Sequence, residues 1–440
     1  MVLLLLLAFA CAAWKVASRT PSADFAAASF SIPPTVAAPV ATNADSSSQT
    51  SPDGKFRFDA RFVSASPGQA VHAASMAELR DGGLLAVWFS GSREGAGDVT
   101  IQSARMDPAT LMWSPEKTIF DRLQLERGLW RYVKKLGNPV VARAPDGSLW
   151  LWMVNVSLGG WAGSAITWSR SGDEGATWST PRRLVTSPFL NISTLVKGAP
   201  VAMADGQISL PVYHEFITKF GEVLRLAADG QVIDKTRIPG SQTSLQPVLL
   251  VSNTQHANAY MRSGRAEKIM LSATEDAGKT WTSARQTGWP NPDSALAGVV
   301  TNRGAQWLAL NPAATGRQTL ALLHAPPRAS FDGVSPWLVE QSGTADPSVA
   351  AFGSALGNEL KARGASEAQT QAYVASAVRQ LCHQGRCSQE FSYPFLLQTR
   401  DGFIHLVYTW HRTRIKHIRF DPLQSGLTTP PAASNAPATH

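Results

Sequence analysis

The middle of the chain alternates short apolar runs with turns rich in glycine, aspartate, asparagine and proline. Four of these runs, at residues 84–89, 149–154, 208–213 and 404–410, follow the turns Asp81-Gly-Gly83, Asp146-Gly147, Asp205-Gly206 and Asp401-Gly402. A short apolar run after an Asp-Gly turn is typical of a β-hairpin. Early in the chain the pattern returns at steps of about 60 residues, which predicts a repeated four-stranded sheet.

One region departs from this pattern and predicts helices. Residues 345–383 are rich in alanine, and their apolar side chains recur at steps of three and four residues, at Val349, Phe352, Leu356 and Leu360. Gly364 ends this run, and Ser366-Glu-Ala-Gln369 has the form of a capping box for a second helix. We interpret residues 345–388 as a small helical insertion between strands, either a surface decoration or a lid beside a site.

The N-terminus begins with an apolar run. Residues 1–13 are almost wholly apolar, and Lys15 and Arg19 follow them. A comfortable membrane span needs about 20 residues, whereas the apolar region of a signal peptide is shorter. Because no basic residue precedes the run, we interpret residues 1–18 as either a signal peptide or an uncleaved anchor, with a lipoprotein site at Cys11 as a third alternative. All three predict an exported protein, in the periplasm, on a membrane or outside the cell.

In the rest of the chain, composition distinguishes two segments predicted to be disordered from a folded domain. Residues 19–55 are rich in alanine, serine and proline, which predicts a disordered spacer, and residues 424–440 predict a disordered tail. Residues 56–423 remain for the folded domain. With 440 residues in all, of which 44% are hydrophobic, the chain can bury a sizeable core.

Charge and cysteine content exclude several classes of partner. The net charge of +8 includes no Lys/Arg block longer than three, so the pattern disfavours a nucleic-acid partner and suits anionic glycans. In an exported chain Cys382 and Cys387 suggest one disulfide. A zinc site there would need two more ligands beside His383, so no metal is expected. No glycine-rich loop joins a strand to a helix, so no nucleotide or flavin cofactor is expected either.

Two copies of one motif identify a turn type. They read Ser171-Gly-Asp173-Glu-Gly175-Ala-Thr177-Trp178 and Thr274-Glu-Asp276-Ala-Gly278-Lys-Thr280-Trp281. In such a turn the aspartate accepts hydrogen bonds from its own loop, the glycine adopts a positive φ, and the tryptophan covers the hairpin. The form Ser-x-Asp-x-Gly-x-Thr-Trp resembles the Asp-box of the sialidase-like BNR-repeat family.

The resemblance extends over about residues 57–420, apart from the helical insertion. Stretches around Asn138-Pro139, Lys197-Gly-Ala-Pro200 and Tyr393-Pro394 look like this family, and the stretch from Tyr408 to His417 is similar to its bacterial branch. Members of the family fold as six four-stranded blades around a central site. The resemblance therefore implies an all-β, six-bladed β-propeller of the sialidase type with a small helical insertion.

The family binds a sugar carboxylate with three arginines, whose planar guanidinium groups pair with a carboxylate bidentately. It uses a tyrosine nucleophile beside a glutamate, and a separate aspartate as acid and base. By resemblance Arg262 and Arg317 stand for two of the arginines, Tyr393 for the nucleophile and Asp98 for the acid/base.

Two sequence neighbours of Asp98 are further candidates for the catalytic acid and for substrate binding. Glu94 could be the catalytic acid instead, and its sequence neighbour Arg93 could bind substrate.

Two positions depart from the family pattern. His72 takes the place of the first arginine on the first inner strand, and Gln246 takes the place of the glutamate that partners the tyrosine. A glutamine side chain cannot accept the phenol proton. Glu215, at the end of an apolar strand, is a candidate base from a neighbouring blade.

The resemblance implies a monomeric, retaining exo-glycosidase that acts on terminal, acidic sugars of a glycan. One alternative is a propeller that binds glycans without catalysis, because His72 and Gln246 replace two of the family's residues. Another is a propeller-type polysaccharide lyase in which Tyr393 and a histidine abstract a proton beside a uronate. A shared fold does not decide between these functions. The N-terminal segment is a candidate membrane tether in each case.

Overall fold

Six antiparallel sheets form a ring in the computed structural model, which describes residues 2–17, 23–26, 48–187, 191–342 and 346–423. Each sheet is one blade of a six-bladed β-propeller, with its first strand innermost. The fold class predicted from the sequence is confirmed.

The first three blades follow one another along the chain. Blade 1 contains Ala70–Glu78, Leu84–Gly91, Thr100–Met106 and Lys117–Phe120. Blade 2 contains Lys135–Arg143, Leu149–Val156, Ser164–Ser171 and Arg182–Arg183. In blade 3, Leu195–Val196 and Val201–Ala202 share the innermost position beside Ile208–Glu215, Lys219–Leu226 and Val232–Arg237.

The last three blades complete the ring. Blade 4 contains Ser244–Val251, Ala257–Ser263, Lys268–Thr274 and Arg285–Pro290. Blade 5 contains Ala297–Val300, Gln306–Leu310, Thr319–Ala325 and Trp337–Gln341. Blade 6 contains Phe391–Gln398, Ile404–Trp410 and Arg414–Phe420, to which Arg57–Phe62 and Ser48–Thr50 add from the N-terminal side.

Among the described residues, four α-helices accompany the blades: α1 (Val2–Ala17), α2 (Arg122–Leu129), α3 (Val349–Ala362) and α4 (Glu367–Leu381). A short 3-10 helix lies at Trp161–Gly163. Within the described part of the chain, every helix is too short or too polar to cross a membrane.

Helices α3 and α4 form the connection between blades 5 and 6, in the region where the sequence predicts an insertion. The predicted capping box is present, because Ser366 and Gln369 bond each other's backbone N–H groups. A small hairpin, Cys382–His383 with Arg386–Cys387, follows, and the expected disulfide joins its two cysteines. The sequence analysis did not predict α2, which lies between blades 1 and 2.

The two faces of the ring differ because neighbouring strands are antiparallel. Turns between the second and third strands of each blade, and the connections between blades, lie on one face, which we call the site face. Turns between the first and second strands, and between the third and fourth, lie on the opposite face. Both Asp-boxes lie on the opposite face, where Asp173 and Asp276 accept hydrogen bonds from Thr177 and Thr280.

Four inner strands share one distortion. A two-residue bulge interrupts the pairing of the inner strands in blades 1, 2, 4 and 6. The first bulge residue in each case has a positive φ, at Ala73 (56°), Asn138 (42°), Gln246 (52°) and Tyr393 (52°). Such a backbone is strained for residues other than glycine, and it redirects the side chain out of the strand's usual alternation. Three of the four residues are polar, and their side chains meet at the centre of the ring.

A short N-terminal segment packs on the opposite face. Phe25 is fully buried between blades 3 and 4, and its backbone N–H donates to the Thr254 carbonyl at 2.8 Å. The backbone N–H of Ala204 donates to the Asp24 carbonyl at 2.8 Å. The spacer predicted for residues 19–55 lies largely outside the described residues, and we call residues 23–26 within it the N-terminal strap.

Replacing Phe25 should therefore destabilise the propeller. We expect Phe25→Ala to lower the free energy of unfolding by about 3 kcal/mol, since it removes a fully buried aromatic ring. Urea unfolding at neutral pH measures the change. Phe216→Ala, at a half-exposed ring, is the control and should change the stability little. Equal effects of the two substitutions would show that the strap contributes nothing to the fold.

Candidate functional site

Tyr393 lies at the centre of the ring on the bulged inner strand of blade 6. Its ring is buried, and its hydroxyl oxygen lies 3.0 Å from Nη1 of Arg262. The same oxygen lies 3.5 Å from Nε2 of Gln246, which is a long contact. Both neighbours come from blade 4, so the structure brings together three residues that the sequence analysis selected.

Arg262 determines which way the Gln246 amide faces. The Nη1 group of Arg262 donates to Oε1 of Gln246 at 3.1 Å. A flipped amide would place two donors against each other, because a guanidinium has no acceptor. The Nε2 group of Gln246 must therefore face the phenols of Tyr393 and Tyr213, at 3.5 and 3.4 Å.

This orientation makes both phenol oxygens acceptors. Tyr393 accepts from Arg262 and Gln246, whereas Tyr213 accepts from Gln246 and from Asn138, whose Nδ2 lies 3.2 Å away. With its oxygen so occupied, each hydroxyl keeps its own proton free for another partner. Tyr213 and Asn138 are site residues that were not selected from the sequence, although the Asn138-Pro139 stretch and the apolar run at residues 208–213 were noted.

Burial, followed by the nearby Tyr393 and Glu215, raises the pKa of Tyr213 well above its ordinary value. Glu215 lies two residues beyond Tyr213 on the same strand, so their side chains project to the same side. The Glu215 carboxylate lies 3.7 Å from the Lys219 amine. The structure thus associates Glu215 with Tyr213, whereas the sequence analysis proposed it as a base for Tyr393.

Three arginines lie near Tyr393 or its neighbour His72, and each is paired with a carboxylate. Arg262 donates from Nε to Asp293 at 2.7 Å. Arg317 donates to Glu390 at 3.1 Å, and Arg412 donates to the other oxygen of Glu390 at 2.8 Å. Glu390 therefore bridges the turns of blades 5 and 6.

Glu390 stays ionised in this setting. Burial alone would raise the pKa of its carboxyl group, but the charges of Arg412 and Arg317 hold that pKa well below its ordinary value of 4.5. The charge of Glu390 in turn raises the pKa of Arg412, against the effect of burial.

Arg412 is the principal residue that the sequence analysis missed. It lies in the turn between the second and third strands of blade 6, where His411 and Arg412 both have a positive φ. Its second partner is Glu94, at 2.8 Å, so it also ties blade 6 to the 92–99 loop of blade 1. The signal was the stretch from Tyr408 to His417, which resembles the family but had no role assigned to its arginines.

His72 packs against the Tyr393 ring, with 4.1 Å between the ring centroids. Its Nδ1 lies 2.8 Å from the Thr409 hydroxyl. The ring is 2% exposed, and burial, followed by the charge of Arg412, lowers its pKa well below the ordinary 6.5. His72 is therefore neutral at pH 7 and supports Tyr393 from the side.

Lys197 supports the Tyr393 bulge as well. Its amine donates to the carbonyl of Pro394 at 3.0 Å. Burial lowers the pKa of this amine from its ordinary 10.5 to about 7. From the sequence, the Lys197 stretch was notable only for its resemblance to the family.

The 92–99 loop of blade 1 carries the remaining predicted residues. Arg93 and Asp98 are exposed in this loop on the site face, whereas Glu94 contacts Arg412. Asp98 accepts hydrogen bonds from the backbone N–H and the hydroxyl of Ser92, both at 3.0 Å. Gln380 of α4 donates to the Ser92 carbonyl at 2.8 Å, so the helical insertion supports the loop that holds Asp98.

The described residues offer no group of three His, Cys, Asp or Glu side chains that could hold a metal ion. Chemically, the site combines guanidinium donors and phenol hydroxyls, and the 92–99 loop beside Arg412 adds the exposed Asp98 carboxylate. It is suited to an oxygen-rich, anionic small ligand.

A family profile described as a BNR repeat-like domain matches residues 82–406. The chain belongs to this family. No curated protein matches the chain significantly.

Solved structures of sialidases share the fold of this BNR repeat-like protein. The Hadza microbial sialidase Hz136 is 13% identical, with a TM-score of 0.59 over 80% of this chain and 66% of that chain. The intramolecular trans-sialidase from Ruminococcus gnavus, in complex with oseltamivir carboxylate, is 12% identical, with a TM-score of 0.57 over 83% and 96%. The NanB sialidase from Streptococcus pneumoniae is 9% identical, with a TM-score of 0.56 over 84% and 71%. At these identities the likeness establishes the fold alone.

The buried charge of Glu390 predicts an acid-sensitive contribution to stability. We expect Glu390→Gln to cost about 3–5 kcal/mol at pH 7, because Arg317 loses its carboxylate partner and Arg412 loses one of its two, and both guanidinium groups are largely shielded from solvent. A carboxyl with a depressed folded-state pKa stabilises the fold above its unfolded pKa and loses that effect as the pH falls. The difference in the free energy of unfolding between wild type and Glu390→Gln should thus decrease as the pH falls below about 4.5.

Urea unfolding at pH 7, 5, 4 and 3 measures this gap. Glu275→Gln, at an exposed carboxylate, is the control and should track the wild type. A gap that stays constant down to pH 3 would contradict the assigned ionisation of Glu390.

Proposed function

We propose that this protein is a sialidase-like exo-glycosidase that hydrolyses a terminal, acidic sugar from a glycan. The observation that carries the proposal is the group of arginines at Tyr393: Arg262 donates to its phenol, Arg317 lies 6.0 Å from its ring, and Arg412 is joined to Arg317 through Glu390. The sugar's carboxylate would be recognised by the guanidinium groups, and its anomeric carbon would face the phenol.

The arginines retain donors for such a carboxylate. Within the described residues, Nη2 of Arg262 and Nη2 of Arg412 have no hydrogen-bond partner. The carboxylates of Asp293 and Glu94 are 38% and 37% exposed, so solvent weakens their pairing with the arginines. A substrate carboxylate can compete with them, whereas buried Glu390 keeps the guanidinium groups in place.

Arg412 compensates for the histidine on the first inner strand. His72 stands where the family has an arginine, and the guanidinium group of Arg412 enters the same region from blade 6. The proposed carboxylate site thus keeps three arginines, one of them from a different strand.

In the proposed reaction the Tyr393 oxygen attacks the anomeric carbon as the bond to the leaving oxygen breaks, and Asp98 gives that oxygen a proton. Water then attacks the anomeric carbon as its bond to the Tyr393 oxygen breaks, Asp98 takes the water's proton, and the phenolate regains a proton from solvent. Nη1 of Arg262, at 3.0 Å, stabilises charge on the phenol oxygen. The phenol proton leaves to solvent, since the amide of Gln246 donates to this oxygen and accepts nothing from it.

Gln246 also favours a second candidate, a propeller that binds the acidic sugar without cutting it. Without a carboxylate beside the phenol to accept its proton, Tyr393 is better suited to donate a hydrogen bond than to act as a nucleophile. The same arginines and phenols would then serve binding alone. Measurements of turnover distinguish the two functions.

The proposed chemistry predicts loss of activity at two positions. We expect Tyr393→Phe and Asp98→Asn each to lower kcat/KM by at least about 100-fold, because one removes the nucleophile and the other the proton donor. A panel of fluorogenic sialosides, uronides and neutral glycosides, with protein that retains residues 23–440, measures release.

Tyr260→Phe is the matched control, since its hydroxyl is buried in blade 4 away from this cluster. Retention of full activity in both Tyr393→Phe and Asp98→Asn would contradict the mechanism. Sugar binding without release from any glycoside, by wild-type protein, would favour the second candidate.

Restoring a base should raise turnover. In Gln246→Glu a carboxylate would receive the Arg262 donor and could accept the phenol proton, so we expect kcat to rise about tenfold or more. The rate should fall at acidic pH as that carboxylate becomes protonated. The pH profile of kcat, compared with Gln246→Leu, measures both effects. An unchanged or lower kcat in Gln246→Glu would show that proton removal from Tyr393 does not limit the reaction.

A further inference from the structure

Exposed large apolar side chains are concentrated on one part of the site face. Seven of those in blades 1–3 lie in connections between blades or in turns between second and third strands, namely Leu123, Trp130, Tyr132, Leu158, Val185, Phe216 and Ile217, whereas Met112 lies on the opposite face. Exposed apolar side chains that lie close together mark interaction sites. This cluster lies beside the candidate site and is not used by the chemistry proposed for it.

Trp130 is the most unusual member of the cluster. It follows α2 as the C-cap residue, with a left-handed backbone (φ 49°, ψ 42°) that glycine normally provides. Its side chain is 95% exposed. The residue therefore carries backbone strain and an exposed indole ring at the same time, with no packing to offset either. An outlier of this kind points to a role in binding.

A second tryptophan connects this region to the site. Trp161 packs on Gly137, where an added Cβ would lie 3.0 Å from the indole ring. Gly137 directly precedes Asn138, which bonds Tyr213 in the site. We call Trp130, Tyr132 and Trp161 the aromatic rim.

Basic residues accompany the aromatic rim. The Lys135 amine lies 5.6 Å above the Trp161 ring, and its side chain runs beside Gly95 of the 92–99 loop. Arg131 and Lys134 lie in the same connection, and Arg131 bonds the Ser157 hydroxyl at 2.9 Å. Cations interleaved with exposed aromatic rings suit a ligand that is flat-faced and anionic.

We propose that the aromatic rim binds the sugar rings of an acidic glycan chain beyond the unit held by Tyr393 and the arginines. The aromatic rings would stack on pyranose faces, and Arg131, Lys134 and Lys135 would pair with carboxylates along the chain. This inference rests on the proposed function and narrows its substrate to an extended acidic glycan. The bound chain leaves the site over blade 2.

The geometry favours a glycan over a lipid surface at this rim. The N-terminal strap packs on the opposite face, and it begins at residue 23, six residues after α1 ends at Ala17. Six residues span at most about 20 Å. The apolar helix α1 is therefore attached close to the opposite face, so a bilayer that held α1 would lie on that side and leave the rim free.

Trp130→Gly tests the inference, because glycine suits the left-handed backbone. We expect the melting temperature to stay the same or rise, while the affinity for polysialic acid or polygalacturonate falls about five- to tenfold. If Trp130 instead stabilised the fold, its replacement by glycine would lower the melting temperature. Met112→Ala, at an exposed side chain on the opposite face, is the control and should bind as the wild type does.

Binding is measured by isothermal titration with the two acidic polymers, with neutral dextran and with anionic phospholipid vesicles. Equal affinities of wild type and Trp130→Gly, no binding of either acidic polymer, or binding to vesicles alone would each overturn the inference. The fluorogenic panel is a separate readout for the wild type. Release from a single-sugar glycoside without polymer binding would reject the rim and leave the proposed function standing.

Discussion

A carboxylate buried among guanidinium groups holds the centre of this propeller together. Glu390 comes from the connection between blades 5 and 6 and bonds arginines in two different turns, while Arg412 reaches on to Glu94 in blade 1. A lone buried charge would be costly, so these contacts require one another. The charges that suit the site to an anionic ligand therefore also fix three blades relative to one another.

Much of the fold could be predicted because its signals are local. Asp-Gly turns, short apolar runs and the two Asp-boxes each lie within a few residues of sequence, and repetition implies a ring of blades. Non-local features were not predictable in this way. The pairing of Asp59 with Arg419 spans nearly the whole folded domain, and α2 is too short and polar to give a clear periodic signal.

The candidate site likewise contains residues that local motifs predicted and residues that they did not. Tyr393, Arg262 and Gln246 were identified from family-like motifs, and they meet in the structure. Tyr213 and Arg412 were missed, since sequence spacing does not show which turn reaches the centre. The orientation of the Gln246 amide depends on a donor sixteen residues away, and hydrogen-bond geometry alone reveals it.

Closure of the ring has a consequence for how the chain acquires its structure. Blade 6 combines strands from both ends of the domain, with Arg57–Phe62 paired to Arg414–Phe420. The edge of Arg57–Phe62 that pairs with blade 6 stays unpaired until Arg414–Phe420 has been synthesised. An unpaired strand edge is prone to aggregation. A chaperone that holds the N-terminal segment during synthesis or translocation would therefore protect the step on which the whole ring depends.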